Sequence, residues 1–321
     1  MNKVLKQMAI EDLERMQAMP LNEKIERTKL LIKEFYEYFD GKVFITFSGG
    51  KDSTVLLDIA RSIYPQIPAV YCNTGLEYPE INDFVKTIDN VTIVKPFKNF
   101  KQTILGKGYP VISKDVAKKV YEIRNTKSPL LLKLRTEGIK SDGRKSRLGK
   151  LPKKWEYLLQ APFKISSKCC DVMKKYPIEK YEKQTGNHPI SGLLADESSL
   201  RKVSWVLYGC NAFEAKHVSS RPLMFWREQD ILEYIYTKHL PIASVYGDVM
   251  PREDGGGGYY LTGVQRTGCM FCMFGAHLEG HPNKFERMKE THPKQYEWCL
   301  KDVENGGLGL AKVLDFIGVS Y

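Results

Sequence analysis

The sequence predicts an α/β protein built on a doubly wound, mostly parallel sheet, with helical additions at both ends. Short runs of β-branched and aromatic residues at 43–47, 69–71 and 91–94 alternate with amphipathic helical patterns. A glycine-rich loop directly follows the first of these runs. Such alternation is typical of βαβ units whose strands are buried on both faces. The chain has 321 residues, 42% of them hydrophobic, which is enough for one large domain with a smaller appendage.

The first strand and its helix enclose the most informative segment. Between Phe47 and the apolar helical pattern that begins at Thr54 lies the hexapeptide Ser48-Gly49-Gly50-Lys51-Asp52-Ser53. Paired glycines allow positive φ and a close backbone approach, and the unpaired amides of the next helix point toward the same place. An ordinary turn with a capping residue is the simpler interpretation. The full hexapeptide after an apolar strand favours phosphate binding, and its spacing excludes a Walker A loop.

This hexapeptide resembles the PP-loop of the adenine-nucleotide α-hydrolase superfamily, whose members bind ATP or an adenylylated sulfate on a Rossmann-like sheet. The resemblance implies that the loop holds the pyrophosphate, or an equivalent group, of an adenine nucleotide. The nucleotide-binding residues implied in the loop are Ser48, Gly49, Gly50, Lys51, Asp52 and Ser53. Lys51 and Asp52 are also predicted to act in catalysis.

A second loop is expected to face the same ligand. The predicted strand 69–71 leads through Cys72 into Asn73, Thr74 and Gly75. In open α/β sheets, ligands lie beyond the carboxyl ends of the strands, so this loop should face the glycine loop across a crevice. The three residues resemble the second nucleotide-contacting loop of the superfamily, which is often Asp-Thr-Gly. The asparagine retains a hydrogen bond there but removes a charge.

Two arginine-bearing segments complete the predicted nucleotide site. A strand predicted at 188–193 precedes a segment similar to the Gly-x-x-x-x-Glu-Ser-x-x-Arg motif of sulfonucleotide reductases. The resemblance implies that Glu197 shapes the loop and that Arg201 takes part in catalysis by gripping a phosphate or sulfate through its fork of donors. A serine-rich turn opening a helix is the simpler interpretation. Arg221 lies in a segment that resembles the part closing the nucleotide pocket, although core packing explains its aromatic neighbours equally well.

Four cysteines form a candidate ligand set, since Cys169 and Cys170 are adjacent and Cys269 and Cys272 are two residues apart. A zinc site, a redox dithiol and unrelated buried cysteines are alternatives. Neighbouring ligands favour an iron–sulfur cubane, because it presents separate iron corners to two consecutive helical residues. The pattern resembles that of adenylylsulfate reductases, which implies a 4Fe-4S cluster held by all four thiolates.

The same resemblance gives a role to Lys174, which falls where that family has a lysine after the cysteine pair. It is predicted to be catalytic, complementing the negative charge of cluster and substrate. Cys72, Cys210 and Cys299 lack partners at ligand spacing and are predicted to be small buried hydrophobes.

Charge indicates an anionic partner, because the chain has a net charge of +11. Residues 133–154 are the most basic stretch, with nine basic side chains against two acidic ones. A solvated loop whose charges contact nothing is the simpler interpretation, and contacts to DNA or RNA phosphates are the alternative. An electron or sulfur donor protein is also an expected partner. The absence of an apolar run of bilayer length and the acidic residues near the N-terminus predict a cytoplasmic protein without a membrane partner.

The sequence suggests a division in chain order. Residues 1–40 would form an N-terminal helical extension, and 41–254 the PP-loop α/β domain with a basic insertion at about 126–160. Residues 255–321 would contain the Cys-x-x-Cys loop and C-terminal helices. The glycine run at 255–258 marks the boundary loop.

One departure from the sulfonucleotide reductases shapes the functional expectation. Those enzymes end in a tail with a Glu-Cys-Gly motif whose cysteine attacks the sulfate sulfur, whereas residues 314–321 contain no cysteine. We therefore expect an enzyme that uses ATP and Mg²⁺, held with help from Asp52, to adenylylate an acceptor for cluster-dependent sulfur transfer, with nucleic acid as a candidate acceptor. The alternatives are an adenylylsulfate or phosphoadenylylsulfate reductase that uses another thiol, and a nucleotide-binding iron–sulfur redox regulator.

Overall fold

The computed structural model describes residues 3–253 and 256–321, so Gly255 of the predicted boundary loop lies outside the described residues. The strands are β1 (Val43–Phe47), β2 (Ala69–Cys72), β3 (Val91–Val94), β4 (Val111–Ile112), β5 (His188–Ser191), β6 (Asn211–Ala212), β7 (Ser219–Ser220), β8 (Val249–Pro251), β9 (Tyr259–Leu261) and β10 (Met273–Phe274). The α-helices are α1 (Lys3–Gln17), α2 (Leu21–Tyr38), α3 (Lys51–Ile63), α4 (Pro79–Lys86), α5 (Phe100–Lys107), α6 (Lys114–Asn125), α7 (Pro129–Thr136), α8 (Tyr176–Thr185), α9 (Ser199–Tyr208), α10 (Glu228–Lys238), α11 (Lys284–Thr291), α12 (Pro293–Leu300) and α13 (Leu310–Ile317).

The chain forms two compact units, each assembled from separate stretches of sequence. The first consists of the described parts of Met1–Asn73, Glu77–Lys95 and Pro177–Thr267, and the second consists of Thr74–Leu76, Pro96–Tyr176 and Gly268–Tyr321. The chain-order division into 1–40, 41–254 and 255–321 stays a prediction.

The first unit contains a six-stranded sheet in the order β3-β2-β1-β5-β7-β6. Neighbouring strands are parallel except for the edge pair β6 and β7. The chain builds outward from β1 to β3 and later returns to the other side of β1 as β5, which is the doubly wound arrangement. The predicted fold class is confirmed. The predicted strand at 188–193 is shorter than expected, because the chain turns after Ser191, where Leu193 N–H donates to the Ser191 carbonyl.

Helix α3 is fixed by its apolar side. Val55, Leu56, Ile59 and Ala60 are fully buried in the core of the first unit, beside the equally buried residues of β1. Burying such side chains is the main favourable term in folding, at about 1.5–3 kcal/mol for each large one. Because its apolar side is buried in the core, α3 holds its own N-terminus in a fixed position directly after the glycine loop.

The second unit combines helices with the short parallel pair β4 and β10, in which Val111 lies beside Met273. Tyr109, just before β4, donates its hydroxyl to the Leu308 carbonyl at 2.8 Å. Helices α11, α12 and α13 are the C-terminal helical addition that the sequence predicts, and α13 buries an apolar face. Among the helices in the described part of the chain, none is both long and apolar enough to cross a bilayer.

Candidate functional site

The loop between β1 and α3 is held in shape by its own hydroxyl groups. Ser48 N–H donates to Ser53 Oγ at 3.1 Å, and Ser53 Oγ donates to the Gly50 carbonyl at 2.8 Å. Gly49 has φ +70°, and a side chain there would lie within 2.9 Å of methyl groups of Ile81 and Val85. Only glycine fits at that position without strain. Contacts within the protein therefore fix the conformation of this loop without a bound ligand.

A second glycine lets the chain after β5 approach the same helix. A Cβ on Gly192 would lie 2.9 Å from the Asp52 carbonyl oxygen and 3.3 Å from the Ser53 Cα. Strands β1 and β5 are parallel neighbours. After β1 the chain continues toward one edge of the sheet, and after β5 it continues toward the other edge. Doubly wound sheets bind ligands at the point where the strand order reverses in this way. The chain after β5 thus reaches the N-terminus of α3.

A cavity of about 270 Å³ lies at this edge of the first unit. It is lined by Lys51, Asp52, Leu194, Asp196, Glu197, Arg227, Glu228, Gln229 and Arg266. These residues come from the start of α3, the loop after β5, the start of α10 and the segment after β9. Its cationic and carboxylate side chains alternate in one small space, which suits an anionic ligand accompanied by a cation.

Lys51 projects a buried ammonium group into this cavity. Its side chain is 6% exposed, and Nζ lies 3.1 Å from Glu228 Oε1 and 3.4 Å from Asp52 Oδ1. Burial lowers the pKa of Lys51, but the charges of Asp52 and Glu228 outweigh that effect and raise the pKa above its ordinary value. The lysine is therefore charged at neutral pH and can complement a phosphate group.

Asp52 presents an unsatisfied oxygen at the same place. Its Oδ1 is buried and lies 3.4 Å from Lys51 Nζ, but no donor in the described structure reaches it with hydrogen-bond geometry. Burial raises the pKa of Asp52, and the ammonium of Lys51 offsets only part of that rise. A hard cation such as Mg²⁺ takes carboxylate oxygens as ligands, so this residue fits the predicted magnesium site.

We expect Asp52→Asn to stabilise the ligand-free protein by about 1 kcal/mol at pH 7 while removing activity. Because burial raises the pKa of this carboxyl above its unfolded value of about 3.9, its charge destabilises the folded state at neutral pH. The difference from wild type should narrow as the pH falls through the folded pKa toward 4. Urea unfolding across this pH range tests it, with the exposed Asp83→Asn as the matched control. Lower stability of the Asp52 variant at pH 7 would contradict the prediction.

Arg201 lies in the first turn of α9, where the Ser198 hydroxyl accepts a hydrogen bond from its backbone N–H at 3.3 Å. Its guanidinium contacts the Glu197 carboxylate and is 3.5 Å from the Leu194 carbonyl. Burial lowers the pKa of Arg201, and Asp52 acts in the opposite direction. The structure thus brings together the predicted residues Lys51, Asp52, Glu197 and Arg201.

Arg221 occupies a different environment. Its guanidinium contacts the Ser204 hydroxyl, and its backbone N–H donates to the Cys210 carbonyl at 2.9 Å. It is not among the described residues that line the 270 Å³ cavity. Its nucleotide-binding role stays a prediction.

The predicted second loop is divided between the two units. Asn73, at the end of β2 in the first unit, donates its backbone N–H to the Val94 carbonyl at 2.9 Å. Thr74 and Gly75 belong to the second unit, where Thr74 Oγ1 accepts a hydrogen bond from Leu76 N–H at 3.2 Å. The roles of all three residues in nucleotide binding stay predictions.

The four cysteines line one cavity in the second unit. The lining consists of Cys169, Cys170, Cys269 and Cys272 with Leu76, Phe100, Pro110, Met173 and Lys174. The cysteine pair is helical, and its two sulfurs lie 4.0 Å apart. The four predicted ligands thus line the same cavity, and thiolates are the ligand type of an iron–sulfur cluster, but the described structure does not place them as a formed ligand set. No group of three or more Cys, His, Asp or Glu side chains within residues 3–253 and 256–321 is arranged to hold a metal ion.

One thiol of this cavity favours the charged form. The hydrogen bond that Cys169 donates lowers the pKa of Cys170 below its ordinary value, and the charges of Lys114 and Lys174 act in the same direction. The thiolate is the form that binds metals. Of the remaining cysteines, Cys210 and Cys299 are buried as predicted, whereas Cys72 is only partly buried because it ends its strand at the sheet edge.

The basic segment, residues 133–154, has a defined conformation. Ile139 pairs antiparallel with Lys145, and Lys140 N–H donates to the Arg144 carbonyl at 3.0 Å, which closes a hairpin turn. Arg135 anchors the segment, because it pairs with Glu122 and donates to the Gly149 carbonyl. The exposed basic side chains are Lys133, Lys140, Arg144, Lys145, Arg147, Lys153 and Lys154.

With this geometry in hand, comparisons with known proteins decide the family. The profile of the phosphoadenosine phosphosulfate reductase domain matches residues 42–122 and 124–273, well over half of the chain. The chain belongs to the phosphoadenosine phosphosulfate reductase family. This confirms the family that the motifs predicted. The matched ranges of the phosphoadenosine phosphosulfate reductase domain include the glycine loop, Arg201, Arg266 and all four cavity cysteines.

The relatives of this chain that we compared are distant in sequence. An uncharacterized protein of Methanocaldococcus jannaschii is 25% identical over 85% of this chain, which spans 51% of that protein. The adenosine 5'-phosphosulfate reductase of Geobacillus kaustophilus is 24% identical over 64% of this chain and 68% of its own length. A sulfate adenylyltransferase subunit 2 of Alkalilimnicola ehrlichii is 23% identical over 67% of this chain and 63% of its own length. The chain thus spans about half the length of the first relative and about two thirds of the others.

Among solved structures, the chain is similar to the phosphoadenylyl-sulfate reductase of Candida auris in its phosphate complex. The two share 12% sequence identity with a TM-score of 0.39, covering 73% of this chain and 89% of the other.

Sequence reasoning missed several cavity residues of this family member. Arg227, Glu228 and Gln229 open α10, and Arg266 lies three residues before Cys269. Tyr246 was missed as well, although its hydroxyl contacts the start of α3. In the sequence, the polar residues at 227–230 precede an amphipathic helical pattern. Such residues indicate where a helix begins, but they do not indicate that a ligand binds there.

Proposed function

We propose that this chain is an ATP-binding enzyme of the phosphoadenosine phosphosulfate reductase family that activates an acceptor by adenylylation for sulfur transfer. Family membership supports an enzyme acting on an adenine nucleotide. The observation that carries the proposal is the cavity at the start of α3, where Lys51 and Asp52 lie beside a glycine loop. Arg201 does not line this cavity, but it pairs with the lining residue Glu197 and is close enough for the charge of Asp52 to act on it. A phosphate-binding loop with two cations and an unsatisfied carboxylate oxygen is suited to a magnesium nucleotide.

In the proposed reaction, an oxygen of the acceptor attacks the α-phosphorus of ATP. The bond from that phosphorus to the bridging oxygen breaks, and pyrophosphate leaves with the bonding electrons. Lys51 and Arg201 would offset the charge that develops on the leaving pyrophosphate. Asp52 would help to hold Mg²⁺, which neutralises phosphate charge when bound.

The ion pairs of the cavity give this binding a specific requirement. Lys51 is paired with Glu228, and Arg201 is paired with Glu197. A polyphosphate must compete with these carboxylates for the same cations. We propose that the carboxylates hold both cations in place until the nucleotide binds, which limits the rearrangement needed on binding.

The cysteine cavity would serve the sulfur-transfer half of the proposal. Cys169, Cys170, Cys269 and Cys272 would hold a 4Fe-4S cluster, which supplies electron transfer or a sulfur-binding iron when bound. Lys174 lines the same cavity and its charge lowers the pKa of Cys170, so it complements negative charge there. An electron or sulfur donor protein would then be required as a partner.

The test is an ATP–pyrophosphate exchange assay on anaerobically purified protein with candidate acceptors and Mg²⁺. We expect exchange that depends on the metal. In parallel, adenylylsulfate and phosphoadenylylsulfate are supplied with reduced thioredoxin and sulfite is measured. Sulfite formation without exchange would identify a reductase, and nucleotide binding without either turnover would identify a regulator.

The reductase alternative is supported by one relative, which is named as an adenosine 5'-phosphosulfate reductase. It requires a thiol that can attack sulfur. Cys299 is fully buried in α12, and burial raises its pKa to about 12, so it is unsuited to that role. The relative named as a sulfate adenylyltransferase subunit supports nucleotide transfer instead. We therefore rank the ATP-dependent reaction first. The cytoplasmic location stays a prediction.

Nucleic acid is the acceptor class that we propose to test first. We expect the triple change Arg144→Ala, Lys145→Ala and Arg147→Ala to weaken DNA or RNA binding and to reduce the slope of log affinity against log salt by up to about 3. All three side chains are exposed on the basic segment. Fluorescence anisotropy with single- and double-stranded oligonucleotides at several salt concentrations measures the slope.

The matched control removes Lys6, Lys33 and Lys86, which are exposed on helices of the first unit. It changes the net charge by the same amount. A difference between the two variants in the salt dependence of nucleic-acid binding would therefore come from direct contacts of the basic segment. Equal slopes for the two triple variants would exclude the basic segment as a nucleic-acid contact.

A further inference from the structure

Tyr246 occupies an unusual position for a buried tyrosine. It ends a short helical turn, Ser244–Tyr246, and its side chain is 2% exposed. Its hydroxyl oxygen accepts a hydrogen bond from the backbone N–H of Lys51 at 3.2 Å and lies 2.7 Å from Thr267 Oγ1. A tyrosine about 195 residues away in sequence therefore contacts the first amide of α3. Burial raises the pKa of Tyr246, so the phenol stays protonated and keeps its proton for the bridge.

The contact fixes the first peptide group of α3 before an anion binds. The first amides of a helix have no partner within the helix and ordinarily bind a phosphate at such a loop. Here the amide of Lys51 is already engaged by a neutral hydroxyl. Tyr246 thus fixes the direction of that peptide group in the absence of a ligand.

The neighbouring glycine makes this approach feasible. A Cβ on Gly50 would lie 3.2 Å from the Tyr246 hydroxyl and 3.7 Å from Thr267 Oγ1. The second glycine of the loop therefore leaves space for a protein hydroxyl as well as for a ligand. The PP-loop packs against the bridge between Tyr246 and Thr267.

The bridge also reaches the far side of the cavity. Thr267 follows Arg266, which lines the cavity that Lys51 and Asp52 enter. Holding the Thr267 hydroxyl restrains the backbone from which the guanidinium of Arg266 extends. The hydroxyl of Tyr246 thus connects the first amide of α3 with the residue that follows this arginine.

We propose that Tyr246 is a positioning residue that fixes the first peptide of α3 and, through Thr267, the backbone of Arg266 for binding nucleotide phosphates. The inference rests on the proposed nucleotide site and adds a residue to it. According to this proposal, the Tyr246 hydroxyl supports binding of the phosphate portion of the ligand. It does not affect binding of the adenosine portion.

Binding of ATP, pyrophosphate and adenosine to wild type and Tyr246→Phe, measured by calorimetry, tests this. We expect the phenylalanine variant to bind ATP and pyrophosphate roughly tenfold more weakly, as for the loss of one buried hydrogen-bonded bridge, and adenosine unchanged. Thr267→Val should give the same loss, Thr267→Ser should bind as wild type, and the double change should be no worse than either single change. Tyr236→Phe, on an exposed tyrosine of α10, is the matched control.

Equal losses for ATP and adenosine, or additive losses in the double variant, would overturn the assignment, because both indicate a general structural defect. Unchanged ATP binding by Tyr246→Phe would overturn it as well. A wild-type chain that binds ATP but catalyses no exchange refutes the proposed reaction and leaves the binding comparison intact. A wild-type chain that binds neither ATP nor pyrophosphate overturns both.

Discussion

Cys170→Ser is expected to remove the iron and acid-labile sulfide from anaerobically purified protein. The parent chain should contain about four iron and four sulfide per chain, with the visible absorption of a cluster. The prediction follows from the common cavity of the four cysteines and from the lowered pKa of Cys170, which favours the thiolate that an iron atom binds. Iron, sulfide and zinc analysis on both proteins provides the measurement.

Cys299→Ala is the matched control, because Cys299 is fully buried in the same unit and is not among the residues lining the cysteine cavity. It should keep its iron, even if the lost side chain lowers stability by about 1 kcal/mol. One zinc per chain without sulfide would make the four cysteines a structural site. Cluster-based sulfur transfer would then be withdrawn, and the nucleotide cavity alone would carry the chemistry.

Lys51→Met is expected to reduce ATP–pyrophosphate exchange at least about 100-fold. The variant keeps the length and apolar stem of the side chain but removes the ammonium group that faces Asp52 and Glu228 in the cavity. The charge on the leaving pyrophosphate would then lack its nearest buried cation. Exchange rates at saturating ATP, together with ATP affinity, separate an effect on the reaction from an effect on binding.

Two controls make this result specific. Lys33→Met removes an exposed lysine of α2 and should leave exchange unchanged. Glu228→Gln breaks the 3.1 Å ion pair from its other side while Lys51 keeps its charge, so ATP affinity should be retained or increased. If both members of the ion pair gave the same loss of affinity, a structural role for the pair would replace the electrostatic one.

The sequence was sufficient for the features that depend on local chemistry. The strands predicted at 43–47, 69–71 and 91–94 are readable because β-branched and aromatic residues cluster in short runs, and the second strand is one residue longer than predicted. The glycine loop is readable because paired glycines in the hexapeptide Ser48–Ser53 directly follow an apolar strand. The four-cysteine set is readable from spacing alone. These features also carried the family, which the profile comparison confirms.

The tertiary structure alone decided which charges share the cavity at the start of α3. Glu228 and Arg266 reach it from segments far from the glycine loop, whereas Arg221 contacts Ser204 and is not among its described lining residues. The structure shows that the basic segment contains a hairpin and is anchored by the pair of Arg135 with Glu122, and its contact with nucleic acid stays a prediction. Periodicity and spacing report what a residue does with its near neighbours in the chain. A contact such as Tyr246 with the Lys51 amide depends on how separate segments pack, and no local pattern records it.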